Sequence, residues 1–476
     1  MEWTPMFYKL LLVSLVWLCV MVHVLWPDKP TAAGPTSPHP APPRRKRSRV
    51  PQPFAGLIHK PMCEACEQTV DTRPQAPGAP PPLISSTRGR KRRIDTQSQF
   101  CPDQDCSYFG WLRRGNIRAN GHPSGRAWRQ LQCVSCHGYF QETHGTIFHG
   151  KRVSVDLLIH AIGCLAEGLG IRGTARVCEV DPKTVLQWLV EAAEQLRAFS
   201  QHFLQGIRVR QVQLDELFAL LSAVKDGAVS EAEAIERLER APQWVWAAMD
   251  PESKVLLAID VGNRPLAMAQ RVVHHVAQVL APDCAPLFLT DGFRAYMTAL
   301  LTHYGHWVQP ERRQDKGPMP KPRWRPLPQL LYAQGVKTVR RRRLVRVSHR
   351  VVFGTLEAVN AVLAPLGCHN TACIERLNLT IRQHVAAVGR RVSTLCKSEE
   401  GLRQQLALYQ TYHNFCLPHA SLHQALPQPE STKGTGSAKQ WRPCTPVMAA
   451  GLTDRAWTLR EVLLFRVPPW PQPQAL

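Results

Sequence analysis

Strands and helices alternate over the second half of this chain, and two of the strands end in an aspartate. Residues 207–217, IRVRQVQLDEL, form a β-prone run with Asp215 near its end. Residues 244–262 predict a hairpin, and residues 285–293, APLFLTDGF, predict a short buried strand that ends at Asp291 and is followed by a helix. This order predicts an α/β domain in which a mixed sheet with flanking helices brings both aspartates to one cleft.

A third acid lies in a strongly basic segment further along the chain. Residues 367–382 read GCHNTACIERLNLTIR, and Glu375 is the one acid between residues 358 and 398. Apolar residues recur there at steps of three and four, which predicts an amphipathic helix. Glu375 shares one face of that helix with Asn378 and Arg382.

Three carboxylates in one cleft can bind two divalent cations about 4 Å apart. Oxygen ligands of this kind suit Mg²⁺ or Mn²⁺. The basic surroundings would hold phosphates, while the acids would hold the metals that activate a nucleophile and stabilise a leaving oxygen. The sequence therefore predicts that Asp215, Asp291 and Glu375 form a metal site at which a phosphodiester reacts.

Other interpretations of the acids remain open at this stage. Glu375 could be a surface carboxylate that pairs loosely with Arg376 or Arg382 and contributes little. Glu216 is adjacent in sequence to the first aspartate, but in a strand it alternates to the other face. Asp260 also ends a strand, and we interpret it as a turn residue, although it could line the cleft.

The cysteines predict a second kind of metal site. The chain has 15 cysteines, an odd number that are mostly scattered singly, which favours a reducing compartment over a disulfide framework. Two short-spaced pairs flank a Gly- and Arg-containing hairpin in residues 100–150, as in a zinc ribbon, and the alternative is four coincidental free thiols. The predicted tetrahedral Zn²⁺ ligands are Cys101, Cys106, Cys133 and Cys136.

Two helices joined by a short turn follow in residues 151–205. Asp181 is the expected N-cap and Pro182 the first residue of the second helix. The pattern is that of a helix-turn-helix, or alternatively of an ordinary helical hairpin. The net charge of +23 indicates a polyanionic partner, either nucleic acid or an anionic membrane surface, and we take it to be double-stranded DNA. The residues expected to face the major groove are Lys183, Thr184 and Gln187.

The most basic stretch covers residues 306–350, with 13 Lys or Arg and two acids. Trp307 and Trp324 lie within it, and basic strands with interleaved aromatic residues suit phosphate contacts and base stacking. The alternative is a solvated charged face, which thirteen like charges with few counterions would make self-repelling. The run expected to contact DNA is Arg340, Arg341, Arg342 and Arg343.

The remaining segments carry weaker signals. Residues 1–26 are largely apolar and fit a membrane anchor, a signal peptide, or a buried helix that follows a start codon placed too early. Residues 27–99 form a Pro-rich basic linker, in which Cys63 and Cys66 provide half of a metal site that either His59 or a partner chain would complete. Residues 222–243 predict an inserted helix, and residues 427–476 a peripheral tail. We expect a cytoplasmic, nucleoid-associated protein, tethered to a membrane only if its N-terminal segment inserts.

Several of these motifs together resemble one family. CPDQDC, the helix-turn-helix, LDEL, LTDGF and HNTACIERLNLTIRQHVAAVGRR are similar to the transposase of insertion sequence one and its relatives, in the DDE transposase/integrase superfamily. The resemblance covers residues 100–425, and NTACIERLNLTIRQH is its most specific part. It implies an RNase H-like catalytic domain over residues 206–426, with Asp215, Asp291 and Glu375 as the catalytic acids.

The same resemblance implies Mg²⁺-dependent DNA cleavage and strand transfer at the ends of an insertion sequence. Asn378 and Arg382 would contact DNA or orient the catalytic acid, and the zinc ribbon with the helix-turn-helix would read the element's ends. A homodimer or larger synaptic complex is expected, because two ends must be cut. The alternatives are a DNA-binding regulator or decayed copy without catalysis, and a structure-specific nuclease that cuts without joining.

Overall fold

The computed structural model describes most of the chain after the linker. The described residues are 78–84, 96–123, 128–219, 243–312, 319–341, 343–366, 370–389, 396, 398–431 and 437–472. The apolar segment 1–26, the Cys63/Cys66 pair and nearly all of the predicted inserted helix lie outside them. Among the helices that are described, none combines the length and hydrophobicity needed to span a membrane.

A small three-stranded antiparallel sheet comes first in the described chain. Its middle strand pairs with both neighbours, and three of the predicted zinc ligands, Cys101, Cys106 and Cys133, lie in its own small core. The remaining core residues are large and apolar, including Ile117 and Leu131, which are each 2 % exposed. The strands are β1 (Ile117–Ala119), β2 (Gln130–Cys133) and β3 (Tyr139–Gln141).

Three helices follow, and the second and third are joined by a three-residue turn. Glu179 takes a left-handed backbone at the end of the second helix, with φ of 54°. Asp181 then accepts a hydrogen bond from the backbone N–H of Lys183, and Pro182 begins the third helix, so the predicted cap is confirmed. The helices are α1 (Val155–Ala166), α2 (Ile171–Cys178) and α3 (Pro182–Phe203).

A six-stranded mixed sheet forms the centre of the molecule, in the order β11-β10-β7-β4-β5-β6. Strands β4, β7 and β10 are parallel, β5 and β6 form the predicted antiparallel hairpin, and β11 is antiparallel at the opposite edge. This topology is compatible with the expected RNase H-like fold. The strands are β4 (Gln211–Ala219), β5 (Gln243–Met249), β6 (Leu256–Gly262), β7 (Leu287–Thr290), β10 (Leu331–Arg340) and β11 (Arg343–Phe353).

Helices cover both faces of this sheet. Successive side chains of β5 point to opposite faces, and Val245 to Met249 are all buried, so both faces need cover. Trp246 and Ala248 pack towards α4 and α5, whereas Val245 and Ala247 pack towards α7 and α8. A two-stranded hairpin, β8 (Gly305–Val308) with β9 (Arg323–Pro326), follows α5. The helices are α4 (Leu266–Val279), α5 (Ala295–His303), α6 (Leu356–Leu363), α7 (Ala372–His384) and α8 (Glu399–Thr411).

The prediction of a peripheral tail is wrong for its second half. An exposed hairpin, β12 (Gln424–Glu430) with β13 (Lys439–Arg442), leads to two short helices, α9 (Pro446–Ala449) and α10 (Leu459–Leu464). Val447, Val462 and Leu463 are fully buried in the main core. Gln195 of α3 donates hydrogen bonds to the backbone carbonyls of Leu463 and Phe465. The sparse apolar residues of this segment find partners only in the folded molecule, so their pattern alone did not reveal them.

Candidate metal centres and nucleic-acid interface

A cleft forms where β7 ends beside the middle of β4, so Asp215 lies within its strand and not near the strand end that the sequence predicted. The two strands pair only from Gln211/Leu287 to Gln213/Leu289, and β7 then stops at Thr290 while β4 continues. Asp291 therefore lies beside Asp215 with no strand pairing between them. Carboxylate oxygens of Asp215, Glu216 and Asp291 all lie within 4.8 Å of one another, and we call these three residues the carboxylate cluster.

Glu216 belongs to this cluster, although the sequence analysis set it aside because it alternates to the other face. The alternation itself is observed, since Glu216 faces Tyr296 and Arg264 on the α4/α5 side. Its side chain is 1 % exposed, and Oε2 accepts a hydrogen bond of 2.7 Å from Arg264. Because β7 ends at Thr290, no neighbouring strand covers this edge of β4, and side chains from both faces of β4 can approach Asp291. The sequence signal for Glu216 was its position directly after Asp215.

Asp215 is held by two hydrogen bonds and is crowded by negative charge. The Asn378 side-chain amide donates to Oδ2 at 2.8 Å, and the backbone N–H of Glu216 donates to Oδ1 at 2.9 Å. Burial, and next the charge of Asp291, raise the pKa of Asp215 to about 7. Ionised carboxylates at such separations repel by roughly 3–4 kcal/mol per pair at an effective dielectric of about 20. A divalent cation would relieve this repulsion, and the all-oxygen donor set suits Mg²⁺ or Mn²⁺.

Helix α7 is fixed to β4 by the side chain of Gln213, two residues before Asp215. Gln213 Nε2 donates to the carbonyl of Asn370 at 2.8 Å, and Oε1 accepts from the backbone N–H of Ile374 at 3.0 Å. The side chain of Asn370 also accepts a hydrogen bond from the backbone N–H of Ala372 at the helix start. These contacts place the first turn of α7, and with it Glu375, next to the cleft.

Glu375, the third acid that the sequence predicted for this site, is not among the carboxylates that lie within 4.8 Å of one another, and its side chain is 45 % exposed. Its Oε1 accepts hydrogen bonds from the ammonium group of Lys337 on β10 and, at 2.7 Å, from the hydroxyl of Thr371. Its negative charge contributes to the raised pKa of Asp215. Lys337 is the charged partner that the structure shows for Glu375, whereas the surface interpretation named Arg376 or Arg382. Strand β10 is distant in sequence from α7, so the sequence did not reveal this pair.

Asp260 is excluded from the cleft, and its interpretation as a turn residue is also wrong. It lies within β6, paired with Trp246 of β5, two strands away from β4. Its buried carboxylate pairs with Arg271 at 2.6 Å and with Arg403 at 3.1 Å. Strand β6 extends to Gly262, beyond the point at which the sequence suggested a turn.

The four predicted zinc ligands meet in one cluster, which we call the cysteine cluster. Their sulfurs all lie within 4.8 Å of one another. The Cys101–Cys136 and Cys106–Cys133 sulfur distances are 3.6 and 3.9 Å. A tetrahedral Zn²⁺ with Zn–S bonds of about 2.3 Å would place its ligands about 3.8 Å apart. The cluster could therefore hold this ion without rearrangement.

The surroundings of the cysteine cluster stabilise thiolate character at selected sulfurs. The Tyr108 backbone N–H donates to Cys106 Sγ and the Asn116 amide to Cys133 Sγ, each at 3.4 Å. Burial opposes ionisation of Cys133, but hydrogen bonds from Cys136 and Asn116 lower its pKa overall. Burial raises the pKa of Cys101. Because a metal ion binds cysteines as thiolates, Zn²⁺ binding here would release the protons of the thiols.

The predicted DNA-reading residues lie at the start of α3. Lys183 and Gln187 are exposed, whereas Thr184 is half-buried. Gln187 donates a hydrogen bond of 3.0 Å to Glu191 one turn later. The three side chains are therefore near one another on the first turns of a capped helix.

The basic stretch forms two hairpins. Trp307 and Trp324 face each other across β8 and β9 with ring centroids 5.5 Å apart. The β10–β11 hairpin turns at Arg340–Arg343, where Arg340 and Arg341 are exposed; Arg342 lies outside the described residues. Arg382 of α7 is half-buried.

Comparison with known proteins does not assign this chain to a family. No protein-family model and no curated protein matches it. Among solved structures, it is similar to one described as "Crystal structure of the Mos1 Strand Transfer Complex", with 13 % identity over 52 % of this chain and 82 % of that chain and a TM-score of 0.15. A superposition at this level does not define a shared fold, so the functional assignment depends on the residues themselves.

Proposed function

We propose that this protein is a DNA transposase that cleaves and joins DNA at the ends of a mobile element with Mg²⁺ or Mn²⁺. The observation that supports this most directly is the meeting of Asp215, midway along β4, with Asp291, directly after the parallel strand β7, with the Glu375 helix beside them. Crowded acids in a strongly basic protein fit a site that takes both metal ions and phosphates.

Asp215, Asp291 and Glu375 would hold the divalent cations. When bound, these ions supply the positive charge that activates the attacking oxygen and stabilises the leaving one. Asn378 would fix the orientation of Asp215 through their hydrogen bond. Lys337, which contacts Glu375, is placed to pair with a phosphate oxygen at the same site.

The remaining basic elements would bind DNA. The start of α3 would enter the major groove, and the cysteine cluster with its Zn²⁺ would fix the small sheet that precedes it. The β8–β9 and β10–β11 hairpins would contact phosphates through Arg323, Arg325, Arg340 and Arg341, with Trp307 available for stacking. Cutting two element ends calls for at least a dimer of such chains.

The test uses the purified full-length protein, Mg²⁺ or Mn²⁺, and duplex DNA carrying the repeats that flank its gene. Asp291→Asn and Glu375→Ala are compared with wild type, and Glu252→Ala serves as a control. Glu252 is an exposed acid paired with Arg210, at the other end of β4 from the cleft. Cut strands, joined products and DNA binding are measured separately.

Cut and joined products from wild type and Glu252→Ala, with binding but no products from the other two variants, would support a transposase. Cutting without joining would identify a nuclease instead. If wild type binds DNA and never cuts with either metal, the proposal fails and a DNA-binding regulator or decayed copy is the better assignment.

A further inference from the structure

The side chain of Glu216 is buried beside the two aspartates of the carboxylate cluster. It is 1 % exposed, whereas Asp291 lies at the surface. A buried carboxylate normally has all its oxygens paired, because an unpaired one costs free energy. Glu216 departs from this rule: no described residue makes a hydrogen bond of ordinary length and angle to its Oε1, although the buried hydroxyl of Tyr296 lies close to the carboxylate.

A second buried oxygen without a partner lies on the opposite side of β4. Asn378 is 6 % exposed, its Nδ2 donates to Asp215, and its Oδ1 has no hydrogen-bond partner in the described part of the chain. Two orphaned oxygens therefore flank Asp215, one from each helical layer. Both are hard donors of the kind that Mg²⁺ and Mn²⁺ accept.

Arg264 explains how Glu216 is oriented. The guanidinium group donates to Oε2 at 2.7 Å, and it stacks over the rings of Trp244 and Phe293, at 4.6 and 4.3 Å from their centroids. One oxygen of Glu216 is thus fixed by an arginine that is itself held by two aromatic rings. The other oxygen remains available at the carboxylate cluster.

We propose that Glu216 is a ligand of the divalent cation held by Asp215 and Asp291, which adds a further carboxylate to the three that the sequence predicted. This inference rests on the proposed function, because it concerns the same metal site. The competing explanation is that Glu216 only neutralises Arg264. In that case the hydroxyl of Tyr296 would donate to Oε1, and no metal contact would be needed.

The experiment measures metal binding directly rather than activity. Full-length protein with its cysteine cluster saturated with Zn²⁺ is titrated with Mn²⁺, and free Mn²⁺ is followed by its electron paramagnetic resonance signal. Wild type is compared with Glu216→Gln, with Asp291→Asn as a variant of the proposed site, and with Glu252→Gln as a control acid that also pairs with an arginine. The unfolding temperature of each protein is recorded with and without Mn²⁺.

We expect Glu216→Gln to weaken Mn²⁺ binding by about tenfold or more, because the affinity of such sites follows the number of charged ligands. The rise in unfolding temperature on adding Mn²⁺ should shrink in the same variant, and Glu252→Gln should bind as wild type does. This result would support the inference.

Two results would overturn the inference, and the second of them would also overturn the proposed function. If Glu216→Gln lowers the metal-free unfolding temperature but binds Mn²⁺ as wild type does, while Asp291→Asn binds weakly, Glu216 only neutralises Arg264 and the proposed metal site remains. If wild type itself does not bind Mn²⁺, the proposed function fails together with the inference.

Discussion

The cysteine cluster and the carboxylate cluster bring candidate metal ligands together in different ways. The four cysteines come from residues 101–136, next to one small sheet, and three of them are buried. The carboxylates come from two strands that are distant in sequence, with exposure that ranges from a buried Glu216 to an exposed Asp291. A closed set of four sulfurs suits a structural ion, whereas an open set of oxygens leaves room for a substrate.

The largest expected effect concerns the cysteine cluster. Replacing Cys133 by Ser should remove the bound Zn²⁺ and unfold the small sheet, because metal binding supplies about 10 kcal/mol or more of folding free energy in small zinc modules. Zinc content and limited proteolysis of residues 96–150 measure this. Cys284→Ser, outside the cluster, should retain the metal. Full zinc content in Cys133→Ser would show that the cysteine cluster does not hold a structural ion through its four sulfurs.

Asp215→Asn, in the carboxylate cluster, should reduce activity without unfolding the protein. We expect cleavage to fall by about a thousandfold, which corresponds to about 4 kcal/mol of lost transition-state stabilisation, while the fold is kept. Removing one of several crowded charges should also make the metal-free protein more stable at pH 8. Cleavage rates and urea unfolding test both parts, and a loss of stability at pH 8 would contradict the description of the cluster as crowded.

The pH dependence of stability should sharpen this comparison. Because the pKa of Asp215 is raised to about 7 in the folded protein, the folded state binds more protons than the unfolded state between about pH 4 and pH 7. The contribution of Asp215 to stability is thus present at low pH and lost as the pH rises through 7. Urea unfolding without Mg²⁺ or Mn²⁺, but with zinc retained, should show wild type losing stability relative to Asp215→Asn over this window, and parallel curves would refute it.

The smallest expected effect concerns Lys337, which contacts Glu375 beside the carboxylate cluster. Lys337→Ala should lower the cleavage rate by about tenfold, because a positive charge near the reacting phosphate is removed, and should leave DNA affinity nearly unchanged. Lys439→Ala, in the exposed strand β13, is the matched control. If both variants weaken DNA binding equally without changing the rate at saturating DNA, Lys337 is an ordinary phosphate contact.

The features that the sequence alone predicted are those with local causes. Asp181 and Pro182 begin a helix because a cap and an N-terminal proline act within one turn. The cysteine pairs meet because a short hairpin brings them together. The β5–β6 hairpin and helix α7 follow from periodicities of two and of three to four residues. Asp215 and Asp291 were identified because each comes at or near the end of a β-prone run.

The tertiary structure decided which side chains share a site. Glu216 joins the carboxylate cluster because β7 ends early, and strand alternation alone places it elsewhere. Lys337 reaches Glu375 because β10 adds to the sheet beside β7, and Asp260 is excluded because β6 is the far edge strand. Strand order, strand length and the register between distant segments are set by the packing of the whole core. Local sequence fixes the side chains available to the site, and only the assembled sheet determines which of them meet.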